Sequence, residues 1–462
     1  MQRDLFEKMP VPKAYLRLAL PVVLSLILGV VYNMVDTWFI SLTGSPDLVA
    51  GVSVCSPVFV LSIAMGDIWG LGGSSLMSRL LGNKKDDEAG GVSAFCLYAA
   101  FGTGLLFMAA MLLFRDPILR LLGANDASFS HASAYFTWIA LGTPFIIFSM
   151  IPNNQLRSEG FSSLGMWGAA AGSVANILLD PLFIFTFGMG VRGAALATIL
   201  SQILSAVFVL RFLTGKKAEL RLTPLKDLQA LPAQLLGQNP DDRFRSTALD
   251  IAGLGSSAFV MQFTNSLVSI VCNSTLSKYG GEVMVSVYTI INSVRQVLET
   301  PVIAIGEGTS PVISYNYGAR RPGHVRKAML LMGCLGIGYT LIVWILIERF
   351  PAFFISMFST DAALMKDAIP ALHLYFFAFV FQSLQYTGQT TFKALGKKKQ
   401  AIFFSLFRKV VMVVPLTLLL PGVFHFGSDG VFMAEPISNV IGGTACMTTM
   451  LLMVLPELRK ME

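Results

Sequence analysis

The chain has 462 residues, 54% of them hydrophobic and only 13% charged, about half the charged share of a soluble globular domain. That excludes the multidomain cytosolic protein that length alone would suggest and makes the chain an integral membrane protein. The net charge of +7 does not point to nucleic acid, because no basic stripe with interleaved aromatics occurs.

Eleven runs of 18 or more residues lack Asp, Glu, Lys and Arg: 18–35, 48–66, 89–114, 127–156, 160–179, 193–210, 251–277, 328–347, 368–392, 410–428 and 436–456. A helix needs roughly 20 residues to cross a hydrocarbon core of about 30 Å. Each run is therefore a predicted span. A twelfth, 283–305, is interrupted by Arg295 and Glu299. Runs of this length are not the short strands of a membrane β-barrel. Ahead of span 1, MQRDLFEKMPVPKAYLRLALP has no small-residue cleavage site after a short apolar core, so no cleavable signal peptide is expected.

With the N-terminus inside, the inside segments hold 25 Lys and Arg and the outside loops 6. Arg295, Arg408 and Lys409 lie within or at the ends of helices. This positive-inside bias predicts that both termini are cytoplasmic.

The chain repeats itself. Span 2 ends in GLGGSSLMSRLLGNKK and span 8 in GEGTSPVISYNYGARR, with Gly72 and Gly82 matching Gly308 and Gly318 at an offset of 236. Gly160 after span 4 matches Gly396 after span 10 at the same offset. Asp180-Pro181-Leu182 matches Val414-Pro415-Leu416 at 234, and Gly190-Val191 matches Gly430-Val431 at 240. The expected architecture is an all-α membrane protein of twelve transmembrane helices in two six-helix bundles related by a parallel repeat. The predicted N-lobe is 1–212 with helices 1–6. A cytoplasmic linker spans 213–247, and the C-lobe with helices 7–12 is 248–462. Parallel repeats of this kind are a transporter architecture, in which one bundle rocks against the other around a central cavity.

Acids in apolar helices carry the chemistry, since each costs about 2.5–3.5 kcal/mol at a helix centre on insertion scales. Six qualify: Asp36, Asp67, Asp180, Glu299, Glu307 and Glu435. Asp36 and Asp180 both fall roughly 11 Å below the outer ends of helices 1 and 5. Thr198 of helix 6 lies at the same depth, and Asn176 is one turn from Asp180. These four form an oxygen-lined set suited to Na⁺ or to a proton shared between carboxylates. In the second half Asp180 corresponds to Val414, Asn176 to Val410 and Asp36 to about Val268, so the polar set belongs to one half only.

Glu299, one turn from Arg295, reads either as an intrahelical ion pair or as a cavity charge that attracts cations. Glu435 beside Pro436 reads as an interfacial acid near the start of span 12. Asp67 and Glu307 read as interfacial too. Arg295 is the only base expected to be firmly buried. Gln262, Asn265, Gln382, Gln385 and Gln389 are either lining for a substrate cavity or helix–helix hydrogen bonds.

Several stretches resemble the multidrug and toxic compound extrusion (MATE) transporters. They are LALPVVLSLILGVVYNMVDTWFI, SRLLGNKK, NILLDPLFIFTFGMGVRGAALATILSQ and GVFMAEPISN. FEKMPVPKA and SVRQVLETPVIAIGEG are similar to the MepA-like bacterial branch. The resemblance implies a twelve-helix antiporter in the bacterial inner membrane. It would export amphipathic, often cationic, compounds against H⁺ or Na⁺ and work as a monomer without a cofactor. It also implies coupling at the carboxylates of helices 1 and 5. Some relatives carry acids in helices 7 and 10, where this chain has amides, which puts a C-lobe sodium site in doubt.

The alternatives are a flippase for lipid-linked precursors, a structural membrane protein and an intramembrane aspartyl protease. The flippase is disfavoured here because such cavities are rich in Arg. The protease would need two aspartates, but Asp36 and Asp180 sit beside Asn and Thr. Other enzyme signatures are missing: there is no HExxH, GxSxG or Walker A sequence. Gly188, Gly190 and Gly193 spell GxGxxG, but between two membrane helices and not in a βαβ unit. The five cysteines and four histidines show no metal or redox spacing.

Overall fold

The long uncharged runs become long helices in the computed structural model, which describes residues 3–43, 46–122, 126–213, 220, 243–359 and 361–462. In the first half these are α1 (Arg3–Glu7), α2 (Val11–Ser41), α3 (Pro46–Gly82), α4 (Asp86–Leu113), α5 (Arg115–Leu121), α6 (Asp126–Ser158), α7 (Ser162–Pro181) and α8 (Val191–Leu213). The second half holds α9 (Arg243–Gly318), α10 (Pro322–Arg349), α11 (Pro351–Ser356), α12 (Ala362–Phe376), α13 (Phe379–Ala394), α14 (Lys398–Leu406), α15 (Val414–Gly422) and α16 (Gly427–Arg459). No strand occurs among the described residues.

Ten helices among the described residues are long and apolar enough to cross a membrane. One of them is α9, which is two spans rather than one. At Gly281 the backbone takes φ 67° and ψ −168°, a conformation open to glycine because it has no Cβ. The pair α12 and α13, bent by 44°, makes one further span. The protein is thus an all-α membrane protein with the twelve spans expected. Span 10 differs from expectation in being bent between Phe376 and Phe379.

The chain divides into two compact units, Met1–Met9 with Leu16–Phe259, and Pro10–Tyr15 with Val260–Glu462. Most of the linker predicted at 213–247 lies outside the described residues; its first residue closes α8, and 243–247 already belong to α9.

The repeat is written into the backbone. Lys84 and Arg320, 236 residues apart, both take the left-handed conformation, with φ 59° and 53°. Gly160 and Gly396, also 236 apart, do the same at 88° and 79°. Their hydrogen bonds repeat as well. Lys85 N–H donates to Leu80 O and Arg321 N–H to Asn316 O, at 3.0 and 2.9 Å. Phe161 N–H donates to Leu156 O and Lys397 N–H to Phe392 O, both at 2.8 Å. Each is a helix C-terminus closed by reversed N–H groups, which satisfies carbonyls that the helix leaves free.

Two π-helices flank the repeated proline. Leu182–Thr186 follows Pro181, and Phe407–Val413 precedes Pro415. Proline has no N–H to donate one turn back, and a widened turn is a usual local response. Within each unit small residues allow close packing. A Cβ on Gly255 would fall 1.9 Å from Ile68 O, and one on Gly443 would fall 2.2 Å from Phe381 O. The first unit has an apolar core around Ile40, Cys55, Phe136, Ile139 and Ile184. In the second, Cys272, Val287, Ile291, Phe376 and Phe432 are part of the core.

Candidate functional site

In the first unit, α2 carries Tyr32 and Asp36 one turn apart, and α7 carries Asn176 and Asp180 one turn apart. Residues four apart share a helix face. Asp180 is the penultimate residue of α7, directly before Pro181 and the π-turn. The carboxyl groups of Asp36 and Asp180 are close neighbours that interact directly. Asp180 is 0% exposed, and Asn176 on α7 and Thr198 on α8 are buried too.

The polar bookkeeping of this set is one-sided. Asn176 Nδ2 donates to Asp180 Oδ1 at 3.3 Å. The Thr198 hydroxyl is spent on Ala194 O at 3.1 Å. Asp36 Oδ1, Asn176 Oδ1 and Asp180 Oδ2 are buried and have no hydrogen-bond partner among the described residues. Three such acceptors can take up a proton or a cation, because unsatisfied buried oxygens are costly and two neighbouring carboxylates repel when both are ionised.

Tyr32, Tyr135 and Gln202 escaped the sequence reading. The Tyr32 hydroxyl reaches Gln202, and both tyrosines lie close enough to Asp36 and Asp180 to interact electrostatically. Gln202 Oε1 also accepts from Ser149 Oγ at 3.2 Å. Tyr32 had a usable signal, since it precedes Asp36 by one helical turn. Tyr135 and Gln202 sit on other helices, and only the fold brings them in.

The second unit holds a different constellation. Arg295 Nη1 donates to Glu299 Oε2 at 2.5 Å. Arg295 also donates from Nε and Nη2 to Asn292 Oδ1. Glu299 Oε1 accepts from Gln382 Nε2 at 2.5 Å and from the Tyr386 hydroxyl. Glu299 is thus an ion-paired carboxylate with donors on both oxygens.

Beside it, Arg408 Nη1 donates to Glu435 Oε1 at 2.7 Å and to Asn439 Oδ1 at 2.6 Å. Lys409 Nζ lies 3.0 and 3.3 Å from the two Glu435 oxygens. Two expectations fail here. Glu435 is not interfacial: it lies about two turns into α16 and is 3% exposed. Arg295 is not the only buried base, because Arg408 and Lys409 are 4% and 3% exposed. The π-helix explains the second point. Its extra residue per turn narrows the angle between consecutive side chains, so both bases face the same carboxylate.

Among the amides, Gln385 Nε2 donates to Phe404 O at 3.3 Å and Gln389 Nε2 to Ala401 O at 3.4 Å. Both tie α13 to α14. Gln262 Oε1 accepts a long 3.5 Å bond from Asn265 Nδ2, whose own Oδ1 has no partner.

The MatE family model matches residues 21–182 and again 257–419. The chain belongs to the MatE family. The two MatE matches start 236 residues apart, the same offset as the helix-end turns. Multidrug export protein MepA of Staphylococcus aureus (strain MRSA252) is 27% identical over 445 residues, covering 96% of this chain and 94% of the relative. The protein of that name from Staphylococcus saprophyticus is 26% identical over the same coverage. A crystal structure of MATE in the bent conformation matches with a TM-score of 0.90 at 25% identity, over 100% of this chain and 99% of the other. A MOP superfamily transporter from Pyrococcus furiosus Vc1, whose binding pocket has reverse polarity suggesting a different function, matches at 0.89 and 25%, over 99% and 98%.

Proposed function

We propose that this MatE protein is a secondary active exporter of amphipathic, often cationic, organic compounds, and that it exchanges them for H⁺ or Na⁺. The carrying observation is the pair Asp36 and Asp180 in contact, with three buried oxygens lacking partners among Asp36, Asn176 and Asp180. The export of many drugs rests on the relatives named multidrug export protein MepA.

In the mechanism, a proton or Na⁺ settles between the two carboxylates and cancels their repulsion. Asn176 holds Asp180 in place and offers its free Oδ1, and Thr198 lies at the same level. Loss of that charge lets α2 and α7 repack in the first lobe. A substrate that binds one state better than the other is then driven by the ion gradient. The two lobes alternate in exposing the substrate to each side, in the inner membrane, with both termini cytoplasmic and one chain sufficient.

The test is efflux of a fluorescent lipophilic cation from proteoliposomes under an imposed pH gradient and, separately, a sodium gradient. Efflux driven by one gradient and lost in Asp180→Asn supports exchange and identifies the ion. Full gradient-driven efflux by Asp180→Asn overturns the coupling site. A second reading, transport of a lipid-linked precursor, gains support from the buried Arg408 and Lys409, since a phosphate-bearing cargo needs bases in its path.

A further inference from the structure

Among the described residues, the buried charges of the second unit do not cancel. Arg295, Arg408 and Lys409 stand against Glu299 and Glu435, and all five are between 3% and 8% exposed. Arg295 and Glu299 form a closed pair whose donors and acceptors are matched within the pair, by Asn292 and by the α13 side chains. The excess therefore falls on Arg408 and Lys409, which share the single carboxylate of Glu435. Arg295 also acts on Glu435 electrostatically, so no further negative charge is supplied from that side.

The donor count is also in surplus. Arg408 Nη1 serves both Glu435 and Asn439, while Arg408 Nε is buried and has no acceptor among the described residues. The guanidinium cannot turn away easily, because its stem packs on Gly442, where a Cβ would come within 3.1 Å of Arg408 Cγ. A buried, uncompensated cation with a spare donor is expensive unless something negative completes it. In the first unit, the positions matching Arg408 and Lys409 at the 234 offset are Val174 and Ala175. The repeat scaffold does not require bases there.

We propose that Arg408 and Lys409 form a recognition subsite for an oxyanion group, a carboxylate, sulfonate or phosphate, carried by an amphipathic substrate. The inference rests on the transporter reading and narrows its substrate class. The guanidinium gives a planar fork of donors and the ammonium a point charge, the two standard ways of holding an oxyanion. Glu435 is the internal competitor: it occupies the bases when the subsite is empty and keeps them from standing unpaired. A permanently cationic group is repelled at this position, so such compounds bind elsewhere or with their cationic end turned away.

The test uses the purified full-length protein in detergent, titrated with carboxyfluorescein and followed by fluorescence anisotropy. Lys409→Met should weaken binding about ten-fold or more. It should still fold, because Arg408 and Glu435 remain as a neutral pair. Lys409→Arg should keep most of the affinity. Glu435→Gln removes the competitor and should tighten binding several-fold, a direction that general damage does not produce. Displacement of the dye by decanoate supports the subsite and points to small free carboxylates. Displacement by farnesyl phosphate supports it and points to a lipid-borne phosphate. Absence of dye binding in the wild type, or equal binding by wild type, Lys409→Met and Glu435→Gln, overturns it. Ethidium efflux from proteoliposomes is measured in parallel. Loss of anion binding with efflux intact sinks the oxyanion subsite alone, and loss of efflux with anion binding intact sinks the cation-export reading alone.

Discussion

Asn176 Nδ2 donates to Asp180 Oδ1 at 3.3 Å from one turn earlier on α7, and its own Oδ1 stays buried without a partner. The amide therefore does two things with one side chain. It fixes the orientation of the carboxylate, and it adds an acceptor where the proposed exchange needs one.

Asn176→Val gives the first half the residue that stands at the matching position, Val410. Valine fits a membrane helix, so the fold should survive. The hold on Asp180 and one acceptor are lost together. Gradient-driven efflux of a lipophilic cation should fall about ten-fold, the cost of roughly one charge-assisted hydrogen bond. Binding of the same cation without a gradient should hardly change. Efflux at the wild-type rate would show that Asn176 is a helix-packing residue only.

Arg295 and Glu299 make the next prediction. Breaking a buried pair on one side costs about 3–5 kcal/mol, because the remaining charge is stranded. Arg295→Met should lower the melting temperature of the detergent-solubilised protein sharply. Glu299→Gln should do less harm, since Gln382 and Tyr386 can still bond to an amide oxygen. The double change Arg295→Met with Glu299→Met should recover most of the loss, and if it does not, the pair is not the source of the effect.

Close helix contact in the second unit is tested at Gly443. A Cβ there would sit 2.2 Å from Phe381 O, which is backbone and cannot swing aside. Gly443→Ala should cost about 1–3 kcal/mol through overpacking. Gly338→Ala is the control, with nothing within 4 Å of the added Cβ. It should be neutral or stabilise by up to about 1 kcal/mol, as alanine does in a helix interior. Thermal unfolding of the two variants side by side separates crowding from glycine loss as such.

The spans and the repeat were legible because hydrophobic length and helix-end glycines are local signals. Asp180-Pro181 stood out for the same reason. A carboxylate in a long apolar run has few structural excuses, and Asn176 is one turn away on the same run. The C-lobe cluster was not legible. Arg408 and Lys409 stand at the edge of an uncharged run, where bases usually snorkel to the interface. Only the π-helix turns both inward, and a widened turn leaves no clear mark in the sequence beyond the proline that follows. Glu435 looked interfacial because its partners are 26 and 27 residues away on another helix. The bend in span 10 lacks even that much, with no proline between Phe376 and Phe379.

The left-handed residues Lys84 and Arg320 give a prediction that depends on the repeat itself. Each closes a long helix at the same place in its half, with φ near +55°, where a side chain costs roughly 1 kcal/mol relative to glycine. The turns are hydrogen-bonded alike, with Lys84 N–H to Leu81 O and Arg320 N–H to Tyr317 O, both at 3.1 Å. Lys84→Gly and Arg320→Gly should therefore each raise stability by a similar small amount, up to about 0.6 kcal/mol after the entropy that glycine adds to the unfolded chain. The two effects should add, since the turns lie in separate units. Unequal effects would mean that the charges, and not the backbone, decide these positions. Both residues belong to the basic set that the charge bias predicts to be cytoplasmic, so an inverted chain would be the extreme case. Accessibility of a cysteine placed at each position to a membrane-impermeant thiol reagent distinguishes the two causes, because backbone strain leaves orientation unchanged and loss of an anchoring charge does not.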